Sequence, residues 1–173
     1  IENELIIAKE KAEESEERYR NLVEAASDAI YLTEEDGTVI DTNQSALDIT
    51  GKNREEIVGH NIDTVDVNFP ANEFVKFWKK YPINKQLIFE TTHRHKNGDL
   101  IPVEISSKKY KLNDRIYLYG IARDITERKK TELELINAKE KAEESEEILK
   151  TTLQTAMDGY WVVDIKGRFL NVN

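Results

Sequence analysis

The candidate metal-binding or catalytic residues of this chain are three histidines and the acidic residues of one turn. His93 and His95 are two apart on a predicted strand, so their side chains share one face. Two imidazoles can begin a zinc site, but zinc normally takes three or four protein ligands and no third ligand is adjacent. We therefore predict exposed histidines, His60 included, and no metal site. Glu34, Glu35 and Asp36 are interpreted as turn residues, not as paired acid catalysts.

Several classes of function lack their essential residues. The chain has no cysteine, which excludes disulfides and thiol catalysis. It has no glycine-rich phosphate loop and no serine, histidine and aspartate grouping that a fold would assemble. The net charge of −9 argues against binding to nucleic acid, which needs a basic surface. We predict that this chain is not an enzyme.

The apolar segments are too short to cross a membrane. No run approaches the roughly 20 residues that a membrane-spanning helix needs, and no secretory signal opens the chain. We expect a cytoplasmic protein, and a membrane anchor elsewhere in a longer parent protein is compatible with that expectation.

The chain repeats itself at a constant offset of 130 residues. Residues 4–17 and 134–147 have the same sequence except that Ile7 is replaced by Asn137, and the match continues to Asn43 and Asn173. A period of this length indicates an array of whole domains. We predict an N-terminal helix at 1–26, a domain at 27–124, a linker helix at 125–156, and the first two strands of a truncated second domain at 157–173. We therefore expect the chain to be a fragment of a longer protein.

The N-terminal helix carries a heptad pattern. Apolar or small residues recur in alternating steps of three and four, which is typical of a coiled coil, and Ile1 extends the pattern backwards. The seam comprises Leu5, Ala8, Ala12, Ser15, Tyr19 and Leu22. Flanking charges of opposite sign, Glu4 with Lys9 and Lys11 with Glu16, would face each other in a parallel dimer. We predict a parallel homodimer; the alternative is a solvated helical spacer of lysine and glutamate.

The domain between the helices reads as strand, strand, several short helices, and three strands. The strands are predicted at 29–33, 38–42, 86–95, 100–110 and 115–123, and most are joined by tight turns such as Asp36-Gly37 and Asn97-Gly98. Tight turns imply antiparallel pairing. The predicted class is α+β, a five-stranded antiparallel sheet with short helices on one face and long coiled-coil-type helices at either end.

Inward-facing apolar residues could line a ligand cavity or fill a closed core, since buried apolar side chains look the same in either case. The candidates are Ile30, Leu32, Ile49, Ile57, Phe74, Phe77, Phe89, Val103, Ile105 and Leu118. After the last strand, Asp124 and Glu127 form the pattern of a capping box, and neither proline nor glycine interrupts the chain from there to Thr155. One continuous linker helix is expected.

Two stretches carry a family resemblance. ERYRNLVEAASDAIYLTEEDGTVIDTNQSALDITGKNREEIVGH resembles the N-terminal half of a PAS domain, and HRHKNGDLIPVEISSKKYKLNDRIYLYGIARDITERKKTE resembles its C-terminal motif, with the DIT-E-R-K signature. The resemblance implies a sensory and dimerising module that passes a signal through its helices to a downstream output domain in the same chain. Tandem copies resemble sensor histidine kinases most.

The same resemblance suggests which residues relay a signal and which cofactors to expect. Asp124, with Thr126 and Arg123, occupies the family's joint between last strand and output helix. The cofactor stays unknown: the covalent flavin subfamily uses a cysteine, and the haem subfamily uses a histidine on the helix at 72–80, which has none here. Two hypotheses remain, a relay of a small-molecule or partner signal and a purely structural dimerisation spacer with a closed core.

Overall fold

The computed structural model describes residues 2–155, 159 and 161–172. Residues 1–126 form one compact unit and residues 127–173 form a second. Some residues of the predicted seam, linker helix and second domain lie outside the described residues. They are Ile1, the segment 156–158, Tyr160 and Asn173.

The element order follows the predicted pattern. The helices are α1 (Glu2–Glu24), α2 (Gln44–Thr50), α3 (Ala71–Lys80) and α4 (Thr126–Thr155), with short 3₁₀ turns at Arg54–Glu56 and Ile62–Thr64. The strands are β1 (Ala29–Thr33), β2 (Val39–Thr42), β3 (Gln86–Arg94), β4 (Leu100–Leu112), β5 (Arg115–Asp124), β6 (Trp161–Val163) and β7 (Phe169–Val172).

The first five strands form one antiparallel sheet in the order β2–β1–β5–β4–β3. β1 and β5 are neighbours, so the start and the end of the domain lie side by side at the middle of the sheet. The tight turns are built as expected: Asn113 and Asp114 take positive φ values of 48° and 63° between β4 and β5. The α+β class and the five-stranded antiparallel sheet are confirmed.

One face of the sheet packs under α2, α3 and the 3₁₀ turns. Alternation along β4 sends Val103 and Ile105 into this core, as predicted, and α3 contributes Phe74 and Trp78 from above. The prediction of which β1 side chains face the core is wrong, because the alternation is shifted by one residue. Ala29, Tyr31 and Thr33 are buried, whereas Ile30 and Leu32 lie on the opposite face, because pairing of Ala29 with Ala122 sets the phase of the strand.

The long helices α1 and α4 lie open to solvent over most of their length. The seam residues Leu5 and Leu22 are 74% and 68% exposed in the single chain. Ion pairs four residues apart, such as Lys9 with Glu13 at 3.7 Å, run along the helix surface. Within the described residues, neither these helices nor the shorter ones contain an apolar stretch long enough to span a membrane.

In the second unit, β6 and β7 form an antiparallel hairpin. Asp164 accepts hydrogen bonds from the amides of Lys166 and Arg168 at 2.8 and 2.9 Å and so fixes the turn. Trp161 and Phe169 are largely exposed.

Candidate ligand-binding cavity

A cavity of about 50 Å³ lies between the inner face of the sheet and α3. Its floor is explained by the register of three strands. Gly120 on β5 pairs with Tyr31 on β1 and with Ser107 on β4, so a residue without a side chain separates two hydroxyl-bearing neighbours. A Cβ built on Gly120 would meet no heavy atom within 4 Å. The missing side chain leaves this space open.

The walls of the cavity are aromatic and aliphatic. Phe69, Phe77 and Phe89 form a mutual cluster with ring centroids 5.3 to 5.9 Å apart. The remaining apolar lining comes from Ile62, Phe74, Ile105 and Leu118. These side chains come from the loop before α3, from α3 itself and from three strands, so only the tertiary fold brings them together.

Four residues that line this cavity each have a buried side-chain polar atom without a hydrogen-bond partner in the described part of the chain. These atoms are the Tyr31 hydroxyl, Thr33 Oγ1, His93 Nδ1 and Ser107 Oγ. Each of these residues is at most 4% exposed. Buried polar groups are nearly always hydrogen-bonded, and each unsatisfied one costs about 1–3 kcal/mol. The concentration of four such residues around one cavity makes it the candidate ligand site of this domain.

Asp66 adds a carboxylate to the same lining. Its Oδ1 accepts hydrogen bonds from Thr91 Oγ1 at 2.8 Å and from the amide of Asn68 at 2.9 Å, and the residue is buried. Burial raises the pKa of Asp66. Burial, followed by the nearby negative charge of Asp66, raises the pKa of the Tyr31 hydroxyl, which therefore stays protonated at neutral pH.

The comparison with known proteins identifies this architecture. A family model described as PAS domain matches residues 27–127. The chain belongs to the PAS domain family. The match covers all five strands of the first unit and the cavity.

Three relatives illustrate the similarity of this PAS domain to known proteins. The methyl sulfide methyltransferase-associated sensor of Methanosarcina acetivorans is 32% identical over 136 residues, which is 73% of this chain and 13% of that protein. The PAS domain of an HTR-like protein from Haloarcula marismortui matches with a TM-score of 0.65 at 24% identity, over 68% of this chain and 98% of that one. A domain of a sensory box sensor histidine kinase/response regulator from Geobacter sulfurreducens matches with a TM-score of 0.54 at 26% identity, over 64% of this chain and 94% of that one.

The structure places the predicted cavity residues in three groups. Phe74, Phe77, Phe89, Ile105 and Leu118 line the cavity. Ile57 and Val103 are fully buried in the surrounding core, and Ile49 packs against it partly buried. Ile30 and Leu32 face away from it, as the register of β1 requires. Ile30 instead lines an open groove with the end of α1.

The prediction of exposed histidines is wrong for His93. Its side chain is 1% exposed and its ring packs edge-on against Tyr31, with centroids 5.6 Å apart. β3 places His93 on the same inward face as Phe89 and Thr91, and its neighbours then exclude water. His95 lies beyond the strand end, where its Nδ1 is 2.7 Å from Asn97 Oδ1. The two rings therefore do not form a pair of ligands.

Sequence reasoning missed the polar side of the cavity. Gly120 carries a usable signal, because glycine inside a strand often marks a close approach or a gap. Ser107 has the same parity as Val103 and Ile105 on β4 and could have been assigned inward. No sequence signal indicates Asp66, which reaches the cavity from an irregular loop.

Acidification should destabilise this PAS domain through His93. Burial lowers the pKa of His93 to about 4, whereas an unfolded histidine titrates near 6.5. The contribution of neutral His93 to the free energy of unfolding is therefore fully present above pH 6.5. It is lost as pH falls toward 4, because histidine in the unfolded chain is protonated at a higher pH than in the folded domain. We expect a loss of about 2 kcal/mol between pH 6.5 and 5, measured by urea unfolding.

The variant His93→Gln isolates this effect, since it keeps a polar side chain of similar size but cannot titrate. The raised pKa of Asp66 acts in the opposite direction on acidification and is common to both proteins. Parallel stability curves for the two proteins from pH 7 to 5 would show that His93 titrates normally.

Hydrogen bonds, an ion pair and a buried side chain fix the junction between β5 and α4. Asp124 accepts a hydrogen bond from the amide of Thr126, the first residue of α4, at 2.8 Å. The amide of Ile125 donates to Pro102 O at 3.0 Å, and its side chain is buried. Arg123 forms an ion pair with Asp28 at 2.8 Å, which links the end of β5 to the segment before β1.

Proposed function

We propose that this PAS domain senses a small molecule in the cavity and relays its presence through β5 to α4. The observation that carries this proposal is the set of four buried, unpartnered polar atoms around one apolar cavity. A core evolved only for packing would leave these groups out or pair them, because each costs free energy. A ligand that bonds to them recovers this cost only when it is present, as a sensor requires.

The size of the cavity restricts the ligand. One water molecule needs roughly 10–15 Å³ of cavity volume. A cavity of about 50 Å³ therefore holds on the order of three to five non-hydrogen atoms. Sites for drug-sized ligands occupy about 300–1,000 Å³. We therefore propose a small metabolite as the ligand, because a haem or a flavin needs a larger volume than this.

The route of the relay follows from the same strand. β5 supplies Leu118 and Gly120 to the cavity and ends at Asp124, which holds the first turn of α4. A ligand that displaces the middle of β5 would shift the joint at Arg123, Asp124 and Thr126. Allosteric coupling of this kind needs two arrangements that the ligand stabilises unequally. The buried Ile125 side chain supplies a fixed point about which the start of α4 can turn.

We propose that the parent protein is a signalling protein with a downstream output domain in the same chain. The output domain that we propose is a histidine kinase. The matched relative is a sensor of which this chain spans 13%, and one similar structure comes from a sensor histidine kinase/response regulator. The hairpin of β6 and β7 is proposed to open a second PAS domain, because it repeats β1 and β2 at an offset of 130 residues. We place the domain in the cytoplasm.

A side chain added at position 120, on the sheet side of the cavity, should prevent ligand binding without lowering the stability of the fold. In Gly120→Val the added side chain points into open space, and valine is favoured in strands. We expect the free energy of unfolding to stay the same or rise by about 1 kcal/mol, because the substitution reduces the entropy of the unfolded chain and buries apolar area. Bound small molecules, detected by native mass spectrometry or by thermal shift, should be lost.

The matched control is Lys108→Val, which adds valine to the exposed outer face of the neighbouring strand. It should leave ligand binding unchanged. If wild type and Gly120→Val bind a ligand equally while both remain folded, the cavity is not the ligand site. If neither binds any ligand, the domain is a structural spacer and the sensing function is wrong.

We further propose that the protein is a parallel homodimer. The seam residues of α1 are exposed in the single chain, and Tyr19 and Leu22 open onto a groove whose other side is Ile30, Tyr119 and Ile121 on the outer face of the sheet. A second copy that covers α1 would bury both apolar surfaces at once. The matched charges beside the seam favour the parallel orientation.

Charge introduced into the seam should weaken the dimer, whereas the same charge beside it should not. Leu5→Glu places a carboxylate at a seam position, and Ile7→Glu places one in the same helix turn outside the seam; both residues are exposed in the single chain. We expect Leu5→Glu to raise the dissociation constant at least tenfold by sedimentation equilibrium, equal to about 1.4 kcal/mol. A monomeric wild type at micromolar concentration, or equal effects of both variants, would exclude the proposed seam.

A further inference from the structure

We propose that the cavity takes a small organic cation, a primary or methylated alkylammonium ion of about three to five non-hydrogen atoms. This inference rests on the proposed sensing function and names the chemical class of its ligand.

The charge of the cavity lining selects for a cation. Of the thirteen lining residues, Asp66 is the sole carboxylate, and this described set includes no lysine or arginine. The carboxylate is buried, and a buried charge is unfavourable unless it is paired. An anionic ligand would add a second negative charge to the same small space. An ammonium ion instead supplies the missing partner.

The unpartnered atoms match the hydrogen-bonding capacity of an ammonium group. That group has donors and no acceptor. The hydroxyls of Tyr31, Thr33 and Ser107 can each accept a hydrogen bond, and so can Nδ1 of a neutral His93. His93 is held neutral by burial, which lowers its pKa to about 4, so it does not repel a cation at neutral pH.

The apolar walls suit the carbon atoms and the charge of the same ligand. Phe69, Phe77 and Phe89, which form a mutual cluster, line the cavity together with Tyr31. Aromatic rings attract cations through their quadrupoles and bury methyl and methylene groups. A purely polar ligand such as a cluster of waters would gain nothing from these walls.

A series of three probes of similar size and different charge tests the class. Ethylamine, ethanol and acetate are titrated separately into the whole 173-residue protein near pH 7, with amide and side-chain NMR shifts of the cavity residues as the readout. We expect ethylamine to bind with a dissociation constant on the order of 1 mM or lower, as its few atoms allow. Ethanol should bind at least tenfold more weakly, and acetate should not bind.

Two matched variants assign the charge that selects the ligand. Asp66→Asn keeps a side-chain oxygen for Thr91 and Asn68 but removes the charge. We expect it to lower ethylamine affinity at least tenfold and to abolish the preference over ethanol. Asp63→Asn removes an exposed charge three residues away and should change neither value. If Asp66→Asn does not fold, the preference among the three probes on the unaltered protein still decides the question.

The outcomes separate this inference from the sensing function. Ethanol or acetate binding in the cavity as tightly as ethylamine would overturn the cation class and leave the cavity as a ligand site. Failure of all three probes, together with a cavity that holds water only, would overturn both. Ethylamine binding that Asp63→Asn weakens as much as Asp66→Asn would show attraction to the acidic surface and not a cavity site.

Discussion

Replacing Asn43 with alanine should lower the free energy of unfolding by about 3 kcal/mol, because several buried backbone groups lose their partner at once. Asn43 is fully buried. Its Oδ1 accepts hydrogen bonds from the amides of Ile30 at 2.9 Å and Ala46 at 3.2 Å. Its Nδ2 donates to Val23 O at 3.1 Å and Asp28 O at 3.0 Å. One side chain thus joins the end of α1, the start of β1 and the first turn of α2.

Urea unfolding measures this loss, and Asn61→Ala is the matched control. Asn61 makes the same kind of local cap, accepting from the amide of Asp63 at 3.3 Å and donating to Asp36 O at 2.8 Å, but it is only half-buried. We expect the control to cost about 1 kcal/mol. Equal losses for the two variants would mean that Asn43 acts only as a cap for α2 and does not connect α1 to the sheet.

Replacing Trp78 with alanine should cost about 3–5 kcal/mol, the range for deleting a fully buried large aromatic side chain. Trp78 stacks on Phe74 with centroids 5.7 Å apart, and Lys109 Nζ lies 5.3 Å from the centroid of its ring. The same Nζ donates to Trp78 O and Tyr81 O at the end of α3, both at 2.9 Å. Since α3 also carries Phe74 and Phe77, loss of this anchor should also enlarge the ligand cavity.

The chain provides its own control in Trp161, which is 68% exposed on β6. Trp161→Ala should change the free energy of unfolding of the first unit by less than about 0.5 kcal/mol. A domain total of roughly 5–15 kcal/mol leaves Trp78→Ala measurable in most cases, and Trp78→Phe provides a milder variant. A loss below about 1 kcal/mol in Trp78→Ala would show that α3 is held by other contacts.

The fold class followed directly from the local pattern. Alternation along β4, the Asn97-Gly98 and Asn113-Asp114 turns and the order of the elements predicted an antiparallel α+β domain, and the sheet confirms it. These features are local, because turn chemistry and a period of two depend on residues near one another in the chain. The aromatic cavity residues of α3 and β3 can be predicted for the same reason.

The polar half of the candidate site depended on the register between distant strands. β1 has consecutive apolar residues at 29–32, so its sequence is compatible with either face of the strand pointing to the core. The pairing of Ala29 with Ala122 determines that Tyr31 and Thr33 face inward. His93 looks exposed in sequence because its neighbours are polar and charged. The bridge between Asp66 and His93 and the contact of its ring with Tyr31 bury it, and both partners are distant in the sequence.

The repeat, the helices, the five strands and the family resemblance can be predicted without a structure, since each rests on residues close together or on direct identity. The position of Gly120 between Tyr31 and Ser107, and the presence of Asp66 in the same cavity, follow only from the three-dimensional fold. The physical reason is that a cavity is a space enclosed by side chains from separate elements. Its shape and charge depend on strand register and helix placement, which no short stretch of sequence encodes.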